Sequence, residues 1–439
     1  RFQLLSQYQL PLNQYRKPLH SRHGKMLVGC YLSLFTTLTT SFLTTTRVLP
    51  FVAGFHSRVP SVSVSALLRN SKSMSPSTSA SASASLSASA SASASTAAAA
   101  DLAEGAEALF AVTPLIRSQP LSALVGKPVY LKLDALQASG SFKDRGMAHL
   151  CATFRQEGTT EVISSSGGNA GLAVATVGGL LGLDVSVIVP ETTKPLVIAK
   201  LESLGANVTI HGVNWNAADK LARERVESNP SAGYVSPYDN PLLWTGHSTL
   251  VDEIATQLEA EGLGEPGAIV VSVGGGGLLC GVLEGCSRRK LTSTKIVTSE
   301  TEGAACFQKS YDASGDNDDD NDNNGPITLP GIDSIATSLG ATSCTPVALE
   351  RARSHCGGFS ANACTDEEAV DACVRFAKDH RMLVEPACGA ALAVVYSERL
   401  RKSCLETVGD GPIVVEICGG SGVDIDLLHG WKQEFLSSE

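Results

Sequence analysis

Short apolar runs rich in Val and Ile recur along the chain at Val129–Leu133, Val162–Ser164, Val185–Val189, Val208–His211, Ile269–Val273, Ile296–Ser299 and Ile413–Cys418. Several are apolar at nearly every position rather than at every second one, the pattern of parallel strands buried on both faces. The stretches between them carry apolar residues at helical spacing, among them Ala170–Leu181, Leu196–Leu204 and Asp366–Asp379. Strand and helix in alternation predict an α/β fold with doubly wound parallel sheets. Such sheets bind ligands beyond the carboxyl ends of their strands, where this chain places its glycine clusters. No internal repeat is visible.

The alternation begins only after residue 100. Residues 1–100 hold no Asp or Glu and nine basic residues. An apolar stretch from Leu27 to Leu43 is interrupted by many Thr and Ser, and Arg47, Arg58 and Arg69 follow in a Ser-rich run. That composition fits an organelle transit peptide, with a secretory signal as the alternative, and is too polar for stable membrane insertion. Residues 75–100 are largely a Ser-Ala alternation, which buries too little apolar surface to offset its ordering entropy. Residues 1–100 are therefore expected to be a targeting segment and disordered linker, directing the protein to a mitochondrion or plastid. Translation from Met74 would give a cytoplasmic form instead.

Setting that segment aside changes the charge. The whole chain carries −10, but nine of its 34 basic residues precede Asp101 and all 44 acidic ones lie from there on. What remains, 25 basic against 44 acidic side chains, is about −19, which argues against nucleic acid as a partner. Six of the acidic residues cluster in D-A-S-G-D-N-D-D-D-N-D-N-N-G-P, residues 312–326. Carboxylates and amides suit a hard cation, but no Glu closes a twelve-residue calcium loop, so a disordered acidic insertion is expected. The twelve cysteines form no C-x-x-C pair and have no His at metal spacing. They read as reduced, mostly buried thiols.

Four blocks carry chemistry. S-G-S-F-K-D-R-G (139–146) sets Lys143 beside an aromatic residue at a glycine-bounded turn. Alone it fits either a surface lysine at a helix start or a reactive amine whose pKa is lowered by burial. S-S-S-G-G-N-A-G-L-A (164–173) joins a strand to a helix, where small residues bring main-chain N–H groups close to an anion. It fits a carboxylate-binding loop or a plain turn. V-S-V-G-G-G-G-L-L-C-G (271–281) has four consecutive glycines, costly to order, between a buried strand and a helix. A phosphate cradle explains them; no G-K-[ST] follows and the dinucleotide spacing is not met. V-V-E-I-C-G-G-S-G (414–422) puts Cys418 at the ligand edge of a late strand, although position alone allows a buried structural thiol.

In this order the four blocks resemble the fold-type-II pyridoxal-phosphate (PLP) enzymes, the tryptophan synthase β-like superfamily. The nearest group is the eukaryotic L-serine dehydratases (L-serine ammonia-lyases) of the dehydratase-like type. The resemblance spans residues 105–435 and includes T-P-L (113–115), S-E-T-E-G-A (299–304) and L-V-E-P-A-C-G-A-A-L-A (383–393). It implies two doubly wound domains with the cofactor in the cleft between them. Residues 101–138 with 242–439 would form the large PLP-binding domain and 139–241 the small one. By the same resemblance Lys143 carries the cofactor in Schiff-base linkage, Phe142 lies beside its ring, and Asn169 bonds its ring hydroxyl. Gly274, Gly275, Gly276, Gly277 and Leu278 hold the phosphate, and Cys418 faces the pyridine nitrogen. Ser166, Gly167 and Asn169 hold the substrate carboxylate. Glu300 and Ala304 match a cation site, for a monovalent ion such as potassium, to which Leu339 and Ala341 add main-chain carbonyls. Cys306 stands where relatives often carry a hydroxyl.

The reaction implied is α,β-elimination. Lys143, released by the substrate amine, takes the α-proton; the β-hydroxyl leaves as water, and the product hydrolyses to pyruvate and ammonia. Cys418 points to the serine dehydratase branch, since threonine deaminases, serine racemases and cysteine synthases usually carry Ser or Thr there. Gly167 resembles the dehydratase-like isoenzyme. Threonine deaminase, serine racemase and a non-catalytic PLP-binding protein are the alternatives, and the resemblance suggests a homodimer.

Overall fold

The computed structural model describes residues 99–313 and 325–437. The expected targeting segment and nearly all of the Ser-Ala linker lie outside the described residues, as do positions 314–324 of the acidic insertion.

Two sheets organise the described residues. The larger combines β1 (Leu115–Ser118), β2 (Val129–Lys132), β7 (Ala268–Ser272), β8 (Lys295–Thr301), β9 (Phe359–Cys364) and β10 (Ile413–Glu416) in the order β1-β2-β10-β7-β8-β9. Only β1 runs antiparallel; Val129, Ile413, Ala268 and Lys295 align across the parallel centre. The smaller sheet is parallel throughout, β5 (Asn207–Ile210), β4 (Asp184–Val189), β3 (Glu161–Ser164) and β6 (Ala232–Val235) in that order. Helices α1 (Gln119–Val125), α2 (Lys143–Gln156), α3 (Asn169–Leu181), α4 (Pro195–Ser203), α5 (Trp215–Ser228), α6 (Pro241–Ala260) and α7 (Gly277–Arg289) precede α8 (Cys306–Ala313). They are followed by α9 (Pro346–Ser354), α10 (Asp366–His380), α11 (Pro386–Tyr396), α12 (Glu398–Leu405) and α13 (Ile425–Leu436).

The central strands are apolar on both faces because each face is covered. Tyr130, Ile269, Val271 and Val414 join the core built with α6 and α7, while Leu131, Val270 and Val415 join the one built with α11. Every residue of α11 is buried, which explains its lack of a polar face. The seven expected strands are present, four of them ending one or two residues early, at Lys132, Ile210, Ser272 and Glu416. The structure adds β1, β6 and β9, all at sheet edges, where one apolar face suffices and the sequence signal is weak. Asp312 and Ala313 close α8, a correction to the disorder expected from residue 312.

Strand β2 also buries a charge. All four residues of β2 are buried, and Lys132 is as inaccessible as its neighbours. Its Nζ donates to Glu253 Oε2 at 2.5 Å, Gln257 Oε1 at 2.9 Å and the Thr113 carbonyl at 2.7 Å. Glu253 also receives Arg145, whose guanidinium bonds Asp134 through two nitrogens at 2.8 Å each. Two buried cations and two carboxylates thus form one network behind the start of α2, where the chain supplies enough donors and acceptors to keep them charged.

Glu416 differs. It is fully buried in β10, neither carboxylate oxygen has a hydrogen-bond partner among the described residues, and burial pushes its pKa well above the usual range. The native state holds it neutral while the unfolded chain ionises it, so its contribution to stability is best below about pH 4.5 and worsens as pH rises above that. Glu416→Leu is expected to raise stability at pH 7 by about 1–3 kcal/mol and to flatten the stability profile above pH 5. Chemical denaturation at pH 5 and pH 7.5 checks this; a variant no more stable than the parent at pH 7.5 contradicts it.

Candidate active site

The loops after β2, β3, β7 and β10 meet at the carboxyl edges of both sheets, around a cavity of about 690 Å³. Lys143 is the first residue of α2. The segment before it is tied to the chain leaving β10 by an isolated bridge between Ser141 and Gly419. Phe142 N–H donates to the Cys418 carbonyl at 3.2 Å and Gly420 N–H to that of Gly140 at 2.9 Å. The Lys143 amine donates to the Pro237 carbonyl at 3.0 Å and lies 4.9 Å from the centre of the Phe142 ring. Burial lowers its pKa to about 8, against the opposing pull of Cys418 and Glu385. It therefore presents a usable fraction of free amine near neutral pH.

Across the cavity, Gly274–Gly277 connect β7 to α7. Gly276 adopts φ +94°, open to glycine but strained for other residues, and α7 starts at Gly277. A Cβ on Gly275 would overlap the Tyr238 ring, and one on Gly277 would come within 2.6 Å of the Tyr238 carbonyl. The Gly274 carbonyl accepts from Cys306 Sγ at 3.6 Å and the Gly275 carbonyl from Thr345 N–H at 2.9 Å. With these carbonyls turned back into the protein, the peptide N–H groups face the cavity with the positive end of α7.

Ser166, Gly167 and Asn169 enter from the smaller sheet through the β3–α3 loop. Neighbouring Ser165 anchors that loop on Asp219 at 2.7 Å, and Tyr234 bonds the same carboxylate. The space beside Gly167 is bounded by Val189 and Thr193, whose nearest methyls would lie 3.1 and 3.2 Å from an added Cβ. Cys418 lies beyond the end of β10, buried, 3.6 Å from Ser272 Oγ. Contact with the Cys388 thiol and burial push its pKa well above the usual thiol range, so it is a neutral group.

Phe142, Lys143, Ser166, Gly167, Asn169, the four-glycine turn, Leu278 and Cys418 all line this one cavity, as do Leu339 and Ala341. Glu300 and Ala304 are buried and do not line it. Both Glu300 oxygens accept main-chain N–H groups of α8, from Phe307 at 3.0 Å and Gln308 at 2.6 Å, and burial raises its pKa to about 8. Among the described residues no group of three or more His, Cys, Asp or Glu is arranged to hold a metal ion. Reading the sequence gave no role to three other residues. Glu385 is 6% exposed and bonds Asn169 at 2.8 Å; it stands in a motif quoted above. Tyr238 backs the glycine turn, and His247 lies edge-on to Phe142 with ring centres 5.0 Å apart. Neither of the last two had a local signal, because Tyr238, on the β6–α6 loop, and His247, on α6, are brought in only by long-range packing.

A free amine, a helix N-terminus stripped of side chains, an amide and a neutral thiol around one cavity fit a phosphorylated aromatic aldehyde with a ring nitrogen. The sequence profile of the family described as "Pyridoxal-phosphate dependent enzyme" matches residues 106–419. The chain is 39% identical over 325 residues to the bovine "L-serine dehydratase/L-threonine deaminase", covering 73% of this chain and 94% of that protein. It is 41% identical over 331 residues to the mouse "Serine dehydratase-like" protein, covering 75% and 95%. Among solved structures, a fungal L-serine ammonia-lyase from Rhizomucor miehei superposes with a TM-score of 0.67 at 31% identity, over 75% of this chain and 99% of that one.

Proposed function

Because the chain belongs to the family of pyridoxal-phosphate dependent enzymes, we propose that it eliminates water and ammonia from L-serine to give pyruvate, and acts likewise on L-threonine to give 2-oxobutanoate. The observation that carries this reading is the Lys143 amine, lowered to about 8, sharing one cavity with the four-glycine turn. When bound, pyridoxal phosphate supplies an aldehyde for an amine and an electron sink for the substrate's α-carbon. The protein's residues do the rest. Gly274–Gly277 and Leu278 bind the phosphate with main-chain N–H groups and the α7 terminus. Asn169 donates to the ring hydroxyl, Phe142 packs beside the ring, and Cys418 offers the ring nitrogen a neutral partner. Ser166 and Gly167 orient the substrate carboxylate at the start of α3, with Asn169 beside them. Lys143 Nζ would hold the aldehyde and would be the base for the substrate's α-proton.

Residues 139–241 act as the smaller domain and 101–138 with 242–439 as the larger, in a homodimer. Glu300, Ala304, Leu339 and Ala341 would hold a monovalent cation such as potassium. Residues 1–100 act as the organelle leader.

The test is a kcat/KM comparison on L-serine, L-threonine and their D-forms, with pyruvate and ammonia measured together. Ammonia release matching pyruvate from L-serine supports the proposal. A large preference for L-threonine reassigns the chain to threonine deamination, and conversion of L- to D-serine without ammonia to racemisation.

The lysine makes a separate prediction. Uptake of pyridoxal phosphate by cofactor-free protein should accelerate with pH and level off above about pH 8, not near 10.5. Between about pH 8 and 10.5 the unfolded chain binds the proton that the fold rejects, so Lys143's own contribution to the stability of the cofactor-free protein should rise with pH there. Stopped-flow absorbance checks the first statement; a rate still climbing in proportion to hydroxide at pH 9.5 contradicts it.

A further inference from the structure

Asn169 is held more firmly than a loop asparagine requires. Its Oδ1 accepts from both the N–H and the hydroxyl of Ser421, at 2.9 Å each. Because a main-chain N–H can only donate, this contact fixes which end of the amide is oxygen. One hydrogen of Nδ2 goes to Glu385 Oε1 at 2.8 Å; the other has only a long 3.4 Å contact with Ser338 Oγ. Glu385 is itself located from the other side, since its Oε2 accepts Gly422 N–H at 3.2 Å. Gly420, at φ +127°, makes room for the carboxylate, because a Cβ there would overlap Glu385 Cδ. Three segments are built around this contact: the start of α3 from the smaller sheet, and the start of α11 and the chain after β10 from the larger.

We propose that Glu385 is a positioning residue: by reaching Asn169 it sets the amide so that its remaining N–H points at the ring hydroxyl of the cofactor. This rests on the roles given above to Lys143 and Asn169. What matters is the reach of the oxygen rather than the charge, since Ser421 and Glu385 together leave the amide one free direction. Three substitutions separate these properties. Glu385→Ala removes both. Glu385→Asp keeps charge and the first residue before α11 but withdraws the oxygen by one methylene. Glu385→Gln keeps the oxygen's reach to Asn169 without charge, giving up only the longer contact with Gly422 N–H.

The experiment titrates pyridoxal phosphate into each cofactor-free variant and records the visible absorption and circular dichroism of the bound form, which respond to the ring hydroxyl's hydrogen bond. Ala and Asp are expected to bind about tenfold more weakly with an altered spectrum, while Gln binds close to the parent affinity. On an Asn169→Ala background, Glu385→Asp should add no further loss. Should Asp behave as the parent and Gln as Ala, charge and not reach is the active property and the proposal falls. It falls equally if every variant keeps the parent spectrum, or if the Asp loss is undiminished without Asn169. If Ala does not fold, the Asp and Gln pair decides. A parent protein that shows no lysine-dependent visible band sinks the underlying reading instead, which distinguishes the two failures.

Discussion

Lys143→Ala is expected to lower pyruvate release from L-serine by about 10³-fold and to abolish the visible absorbance of the lysine-bound cofactor, while leaving the fold intact. The effect is large because one nitrogen serves twice, holding the aldehyde and moving the α-proton; a positioned general base alone contributes about 10²–10⁴-fold. The position supports both tasks. Nζ reaches the Pro237 carbonyl at 3.0 Å, and the preceding residue is stapled to Cys418, so the side chain leaves a fixed point. The fold tolerates the change because the buried ammonium is a burden to the cofactor-free protein below pH 8, not a source of stability. Steady-state pyruvate assays with a thermal melt check this together. Turnover within tenfold of the parent, in a protein that melts normally, would overturn the assignment of Lys143.

Arg145→Leu is expected to have the largest effect on stability. Arg145 is fully buried and is the partner of both Asp134 and Glu253, and it receives further support from Thr113 and Thr249 at 3.1 Å each. Removing it leaves Asp134 inside the protein with only Thr113 against it, whereas Glu253 keeps Lys132. Stranding a buried charge in this way costs about 3–5 kcal/mol, which for a chain of this size lowers the melting temperature by on the order of 10 °C. Burial alone would raise the Asp134 pKa, but the Arg145 guanidinium holds it below the usual carboxylate range. The stabilisation is therefore present above that range and is lost as pH falls through the depressed value. The gap between parent and variant should narrow in acid. A variant within 1 kcal/mol of the parent at pH 7 would show that the network does not hold the start of α2.

The chain's own order of residues determined a good deal. Runs of Val and Ile apolar at successive positions specify strands covered on both faces, and glycine clusters after them specify where a ligand approaches the main chain, because both are local properties of a few consecutive residues. The motifs around Lys143, Asn169, Gly274–Gly277 and Cys418 were legible for the same reason, and each lines the cavity. Edge strands β1, β6 and β9 were not, since one covered face leaves only half the pattern. What satisfies the buried Lys132 could not be read locally, because its partners Glu253 and Gln257 come from α6. Glu385 is 216 positions from Asn169 and His247 more than a hundred from Phe142, so no spacing rule could pair them. Those pairings, and the buried charges that support α2, exist only once helices from distant parts of the chain pack together: local sequence sets what each segment forms, and long-range packing sets which polar groups meet.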